Sequence, residues 1–203
     1  MDGAQDPDII ALYKRIRTNP EYLEGQNDLP FAETPLHGAA SEGRTHLALE
    51  ILRLKPSLGK KLNLDGLSPL DLALRNEHTS TVKRLVKYYP ELIRVQGREG
   101  ITPLHYVVET EDIDLLIEFL MVCPSSIKDL TVRDETAVHI AIKNKKLRAF
   151  KVLLGWLRRN DNITVLRCRD EQGNTMLHLA ALTNQPQACF YNADILYIVL
   201  FRA

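Results

Sequence analysis

Histidine is the residue type whose spacing in this chain most directly suggests chemistry. Four histidines occupy the fourth position of one recurring tetrapeptide: His37, His105, His139 and His178. A structural zinc site needs four ligands at about 2 Å from one ion. If each tetrapeptide belongs to one unit of a stack, the units lie about 10 Å apart, the distance between packed helices. The histidines are then too far apart to share an ion, so we expect no metal.

Motifs of covalent catalysis and of cofactor binding are missing from the sequence. Ser41 and Ser68 have histidines nearby, but neither lies in a Gly-x-Ser-x-Gly elbow. There is no P-loop and no Gly-x-Gly-x-x-Gly motif. The three cysteines, Cys123, Cys168 and Cys189, form no Cys-x-x-Cys pair, and their odd number argues against a disulfide scaffold. We therefore expect no catalytic residue, no cofactor and a reducing compartment.

Composition and charge set the class of partner. Basic and acidic residues number 26 each, so the formal net charge is zero. Nucleic acid and anionic membranes require a basic surface, so the balanced charge gives no electrostatic case for either, and we expect no nucleic-acid partner. Met1 to Pro7 contain no signal-like apolar stretch, and no run of about 18 apolar residues occurs anywhere. The chain is therefore predicted to be cytoplasmic, without a transmembrane segment.

The tetrapeptide itself marks the start of a helix in a repeating unit. Its first residue is Ser or Thr, at Thr34, Ser68, Thr102, Thr136 and Thr175, with three steps of 34 residues and a last step of 39. A Ser or Thr hydroxyl caps a helix by accepting a hydrogen bond from an exposed backbone N–H. Proline, which often follows, suits the first helical position. A second column has the same period: Pro56, Pro90 and Pro124.

Each unit also contains a turn and a second helix. Two residues before the cap stands a glycine, which suits positive φ, at Gly66, Gly100 and Gly173. Asp134 takes that place once, and Asp tolerates such a conformation better than most residues. Apolar residues at i, i+3 and i+4, such as Leu116, Phe119 and Leu120, predict a second helix that ends before the proline. The units are therefore all-α.

These residues resemble the ankyrin-repeat family, whose consensus contains Thr-Pro-Leu-His-x-Ala at a period near 33. The resemblance covers residues 29–182. The tetratricopeptide repeat has a similar period, but it lacks this cap tetrapeptide and glycine turn. The resemblance implies an ankyrin-repeat solenoid of helix–turn–helix units that binds proteins on its concave face and is not an enzyme. It also implies that each histidine bonds the cap threonine and the adjoining loop.

In ankyrin proteins the partner contacts come from turn tips and from the exposed part of the first helix. Carried onto matching positions, these contacts are Asp65, Leu67, Arg75, Asn76, Arg98, Glu99, Ile101, Glu109, Thr110, Arg133, Glu135, Lys143, Asn144, Gln172 and Asn174.

A closer likeness is to plant ankyrin proteins of defence signalling. The segment from Pro30 to His37 and the Pro-Glu-Leu ending at Pro90 carry it. That family usually continues into transmembrane helices with a Pro-Gly-Gly motif, which this sequence lacks. The resemblance implies a signalling scaffold or adaptor. Alternatively, the chain is the truncated or alternatively spliced cytosolic part of a membrane-anchored signalling protein, at the cytosolic face of the plasma membrane.

The pattern weakens at both ends and before the last repeat. Residues 1–28 resemble a degenerate N-terminal repeat with an apolar stripe at Ile9, Leu12, Tyr13 and Ile16. The main array covers 29–185, and extra residues near Arg158 to Ile163 predict a longer loop. The tail, 186–203, is apolar all round near its end, which is unlike a solvent-facing cap. We expect truncation or splicing to have produced it; the alternative is an irregular second helix.

Basic residues gather late in the chain, at Lys143, Lys145, Lys146, Arg148, Lys151, Arg158 and Arg159. Earlier first helices are acidic, with Glu109, Glu111 and Asp112. This pattern fits either a solvated helix face or a charge-polarised binding surface.

Overall fold

The computed structural model describes residues 6–24, 30–160 and 162–185. It divides into two compact units, Met1–Arg98 and Glu99–Ala203. The all-α prediction is confirmed, since the strand-like pairing within the described residues is one isolated bridge between Phe31 and Leu62. The tail from 186 onward, with Cys189, lies outside the described residues.

The first unit contains α1 to α5. Their bounds are Pro7–Thr18, Pro35–Ser41, Thr45–Leu54, Pro69–Arg75 and Thr79–Tyr88. First helices pack on first helices, α2 against α4, and second helices on second helices, α3 against α5. Apolar side chains between these two layers form the core, and Leu36, Leu70 and Leu85 are fully buried.

The helix α1 packs on α3. Leu12 is buried, and Ile9 and Ile16 are half-buried. Tyr13, which the apolar stripe included, differs from this prediction because it is exposed. Its hydroxyl is bonded to Glu50 and to Arg53 on α3.

The second unit contains α6 to α10. Their bounds are Pro103–Thr110, Ile113–Val122, Ala137–Lys143, Leu147–Arg159 and Met176–Leu182. The first helices α6, α8 and α10 pack in series, and α7 packs on α9. Among the described residues of this unit, Phe119 and Phe150 are the largest fully buried side chains.

A short 3₁₀ helix follows each second helix, which the proline column did not predict. These helices are Pro20–Leu23, Pro56–Lys60, Pro90–Arg94, Pro124–Lys128 and Ile163–Arg167. A further 3₁₀ turn, Arg98–Gly100, lies at the passage from the first unit to the second. Proline ends the α-helix and starts the 3₁₀ helix, because its fixed φ suits a first helical position. Ile163 shows that proline is not required, since Val165 and Leu166 anchor that turn by burial.

The prediction of one longer loop from Arg158 to Ile163 was wrong. Three of the five extra residues lengthen α9, which has 13 residues where α7 has 10. The other two lengthen the connection between α9 and the 3₁₀ helix, which begins at Ile163. The extension is helical because Leu157 continues the buried stripe by one turn.

Positive φ recurs at two positions of the repeats, of which the sequence revealed one, and Glu99 adds a residue outside both columns. Gly66, Gly100, Gly173 and Asp134 have positive φ as predicted. The second column lies between the two helices and contains Gly43, Glu77, Glu111, Lys145 and Asn184. Glu and Lys give no local signal for this conformation, so the sequence did not reveal them.

Candidate binding surface

Each first helix begins with a reciprocal cap between its Thr or Ser and the residue three positions later. In the first unit, the Thr34 backbone N–H donates to His37 Nδ1 at 3.1 Å, and Thr34 Oγ1 lies 2.8 Å from the same nitrogen. The Ser68 N–H likewise donates to Asp71 Oδ2 at 2.9 Å. An imidazole nitrogen and a carboxylate oxygen thus have the same role, because each accepts a hydrogen bond from the backbone N–H of the cap residue.

The cap fixes the chemistry of the histidine ring. Because Nδ1 accepts a backbone N–H, the proton of the neutral ring is on Nε2. In the first unit, His37 Nε2 lies 3.2 Å from the carbonyl oxygen of Leu67, in the next turn, to which it donates. In the second unit, Thr102 N–H donates to His105 Nδ1 at 3.2 Å, and burial lowers the pKa of His105 to about 4. His105 is therefore a neutral structural group near pH 7.

Three of the turns that precede a cap are held by backbone bonds across their ends. The bonds run from Asn63 N to Leu67 O, from Thr131 N to Glu135 O and from Asp170 N to Asn174 O, at 2.9, 3.0 and 2.9 Å. A side chain inside each turn supports it: Asn63 Oδ1, Thr131 Oγ1 and Asp170 Oδ1 accept further backbone N–H groups. The turns are therefore rigid platforms rather than free loops.

Neighbouring turns are also joined to each other by main-chain bonds. In the first unit, Arg98 N donates to Gly66 O at 2.9 Å. In the second unit, Val132 N donates to Glu99 O at 3.0 Å, and Glu171 N donates to Arg133 O at 2.9 Å. A Cβ on Gly100 would lie 2.7 Å from Val132 N, so this approach requires glycine. Residues at successive tips of the second unit are thus held in a row.

The structure exposes most of the residues proposed for partner contact. Eleven of the fifteen are exposed: Asp65, Arg75, Asn76, Arg98, Glu99, Glu109, Thr110, Arg133, Lys143, Asn144 and Gln172. Leu67, Ile101 and Asn174 are half-buried.

Glu135 is the exception, since only 5% of its surface is exposed. Its carboxylate Oε1 lies 2.5 Å from Lys143 Nζ. The turn bonds of Thr131 draw the Glu135 backbone inward, and the side chain then follows the first helix to Lys143. Glu135 is therefore placed to hold Lys143 rather than to contact a partner directly.

Two exposed apolar residues at the tips were absent from the proposed set. Leu64 is 82% exposed in the first unit, and Val132 is 69% exposed in the second. The signal for them was present in the sequence, as an aliphatic residue within a predicted turn, where polar residues are the norm.

Neither a metal-binding cluster nor a membrane-spanning helix occurs within the described residues. Within 6–24, 30–160 and 162–185, no cluster of three or more His, Cys, Asp or Glu side chains is arranged to hold an ion. None of the helices in these ranges is both long enough and apolar enough to cross a membrane.

Comparison with known proteins identifies ankyrin-repeat relatives. A family model described as "Ankyrin repeats (3 copies)" matches residues 104–191. Ankyrin repeat-containing protein BDA1 of Arabidopsis thaliana is 48% identical over 185 residues, which are 89% of this chain and 43% of that protein. Rabankyrin-5 of Mus musculus is 26% identical over 157 residues, 77% of this chain and 13% of that protein. This chain thus spans less than half the length of either relative.

Proposed function

Because the chain belongs to the ankyrin-repeat family, whose repeats imply a role in protein–protein interaction, we propose that it is a scaffold or adaptor that binds a protein partner on its turn tips and first helices. This surface corresponds to the concave face of ankyrin proteins. Proteins of this family are typically interaction modules without enzymatic activity.

The main-chain links between turns support this proposal most directly. In the second unit, Glu99, Arg133 and Gln172 stand on tips joined by these bonds. A partner therefore meets side chains on a backbone that is already ordered, and less conformational entropy is lost on binding. The tips also carry both charge and apolar surface, since Val132 adjoins Arg133.

An ion pair at the tips allows a sharp test. Arg133 Nη2 lies 3.7 Å from Glu99 Oε2, and both side chains are about half exposed. The exchange Glu99→Arg with Arg133→Glu keeps the pair but reverses its direction. Such a change at an interface rim mainly alters the association rate and its salt dependence.

The experiment begins with affinity capture of the partner from native extract and its identification by mass spectrometry. Binding of the purified partner is then measured by surface plasmon resonance. We expect the exchange variant to weaken binding at least fivefold, mainly through slower association. Lys128→Glu, an exposed charge change on a 3₁₀ helix of the same unit, is the control and should stay within twofold. Unchanged affinity of the exchange variant, with loss in the control, would place the partner elsewhere.

The finer proposal is a role in signalling, in particular plant defence signalling. Its support is the likeness of the Pro30 to His37 segment to plant defence ankyrin proteins and the 48% identity to an Arabidopsis ankyrin protein. The identity of the captured partner tests it: a receptor or kinase of an immune pathway supports the role, and a metabolic enzyme contradicts it.

A second candidate is the cytosolic part of a membrane-anchored ankyrin signalling protein. The observation that favours it is that the matched region covers 43% of the Arabidopsis relative. The full transcript decides between the candidates, since a downstream pair of hydrophobic helices would establish the anchored form. The division into a degenerate repeat 1–28, an array 29–185 and a tail 186–203 remains part of this proposal.

A further inference from the structure

We infer that the solvent-facing side of α9 is a second docking surface, which binds an acidic protein segment carrying an aliphatic side chain. We name it the α9 basic face and define it by Arg148, Lys151, Arg158 and Arg159. The α9 basic face differs in position from the surface of turn tips and first helices, because it lies on the second helix of a repeat.

The charge distribution of the second unit is strongly polarised. Residues 143–169 contain nine basic residues and one acidic residue, although the whole chain is neutral. Residues 99–135 of the same unit contain nine acidic and two basic residues. A surface of one sign raises the local concentration of oppositely charged partners and speeds their association.

The helix α9 concentrates this charge on one side. Phe150, Leu153 and Leu157 are buried on the side that faces the core. Arg148, Lys151, Arg158 and Arg159 are exposed, and α9 contains no acidic residue. Their spacing of three, seven and one positions places them on neighbouring strips of the helix surface. Within the described residues, no carboxylate forms an ion pair with the guanidinium of Arg148, Arg158 or Arg159.

A small apolar strip adjoins the basic face. Gly155 lies between Lys151 and Arg158, and a Cβ built on it meets nothing within 4 Å. A glycine inside a helix costs about 0.5–1 kcal/mol relative to alanine, and no packing contact requires it here. On the adjacent helix α7, Met121 occupies the position one period earlier and is 66% exposed, and Ile117 is also exposed. An aliphatic side chain of a partner can lie over Gly155 and against Met121.

The surroundings favour a protein segment over other polyanions. A helix that lies in a membrane interface inserts a free apolar face, but the apolar face of α9 is already buried in the repeat. A nucleic acid presents a continuous row of phosphates, and Asp114, exposed on the neighbouring helix, would repel it. A peptide can instead place acidic residues over the α9 basic face and an aliphatic residue over Gly155.

The test selects ligands without a prior choice of sequence. A random peptide library is displayed and selected on the whole chain, with counter-selection on the variant Arg148→Glu with Arg158→Glu. One selected peptide is synthesised, and its binding is followed by fluorescence of Trp156. This residue is the single tryptophan of the chain and lies on α9. Phosphatidylserine vesicles and a 20-base-pair DNA duplex are the comparison probes.

We expect enrichment of acidic sequences with an aliphatic residue, and at least tenfold weaker binding by the double reversal variant. Lys60→Glu with Lys128→Glu makes the same change of charge at exposed positions outside the second helices, and it should stay within twofold. Arg148→Gln with Arg158→Gln is the milder variant if reversal disturbs folding, which circular dichroism will show.

Failure to enrich acidic sequences, or equal binding by wild type and variants, would overturn the inference. Tighter binding of vesicles or DNA than of the peptide, lost on reversal, would overturn the assigned occupant. The exchange at Glu99 and Arg133 should leave peptide binding unchanged, so the two proposals can fail separately.

Discussion

Glu111 caps a helix of the next repeat: its Oε1 accepts hydrogen bonds from the backbone N–H groups of Arg148 at 2.9 Å and Ala149 at 3.4 Å. The residue at the N-cap position of α9, Lys146, makes no side-chain hydrogen bond to this helix, so Glu111 supplies the cap. The carboxylate also lies at the positive end of the helix dipole, where three nearby lysines would otherwise add unfavourable charge.

Removal of this cap should destabilise the second unit. We expect Glu111→Ala to lower the free energy of unfolding by about 1 kcal/mol, as loss of an N-cap does. Glu111→Gln should lose less, because its amide oxygen can still accept the bonds. Urea denaturation measures both, with Glu109→Ala, an exposed change on α6, as the control. Equal stability of Glu111→Ala and the control would show that the cap contributes nothing.

Two glycines of the second unit should respond oppositely to alanine. Gly155→Ala should stabilise by about 0.5–1 kcal/mol, because the Cβ enters open space and the helix gains propensity. Gly100→Ala should destabilise by more than that, because φ is 71° and the Cβ would meet the Val132 backbone. Thermal melting measures the change in stability of each variant. A change of the same sign in both variants would contradict the local geometry.

Leu104 should be a large contributor to the core. It is fully buried at the start of α6, so Leu104→Ala should cost about 2–5 kcal/mol through lost burial and a residual cavity. Ile117→Ala, at an exposed position of α7, should cost well under half of that. Chemical denaturation of the two variants beside wild type makes the comparison. A cost below about 0.5 kcal/mol at Leu104 would contradict its burial.

Stability should fall as the pH falls, partly because of His105. Its folded pKa of about 4 lies below the ordinary 6.5, so the unfolded chain takes up a proton first. This contribution is complete above pH 6.5 and is lost progressively as the pH falls to about 4. Between pH 7 and 4.5, wild type should lose on the order of 2 kcal/mol more than His105→Asn. Asn keeps an oxygen for the Thr102 N–H, as Asp71 does for Ser68.

Parallel losses in the two proteins between pH 7 and 4.5 would mean that His105 takes up its proton equally in the folded and unfolded states. The measurement is urea denaturation at both pH values, with circular dichroism confirming that His105→Asn is folded at pH 7. His37 and His139 also have pKa values lowered by burial, and they remain in both proteins, so the difference belongs to His105.

The sequence by itself determined the repeating unit, because its signals are local. A cap threonine bonds a histidine three positions later, and a glycine takes positive φ within its own turn, so a few adjacent residues contain the whole interaction. The positions of Thr102, His105 and Gly100 therefore predicted where α6 begins. The apolar spacing of Leu116, Phe119 and Leu120 predicted the buried side of α7 for the same reason.

The tertiary structure alone decided which residues act across repeats. Glu111 and Arg148 are 37 positions apart in the sequence. Glu111 lies between two helices with positive φ, and this conformation directs its side chain toward the backbone N–H of Arg148 in the next repeat. Glu135, expected at the surface, is buried because the turn bonds and Lys143 draw it inward. The exposure of Met121 on α7 likewise depends on the packing of α7 on α9. Such relationships depend on burial and on backbone bonds between distant segments, which no local pattern encodes.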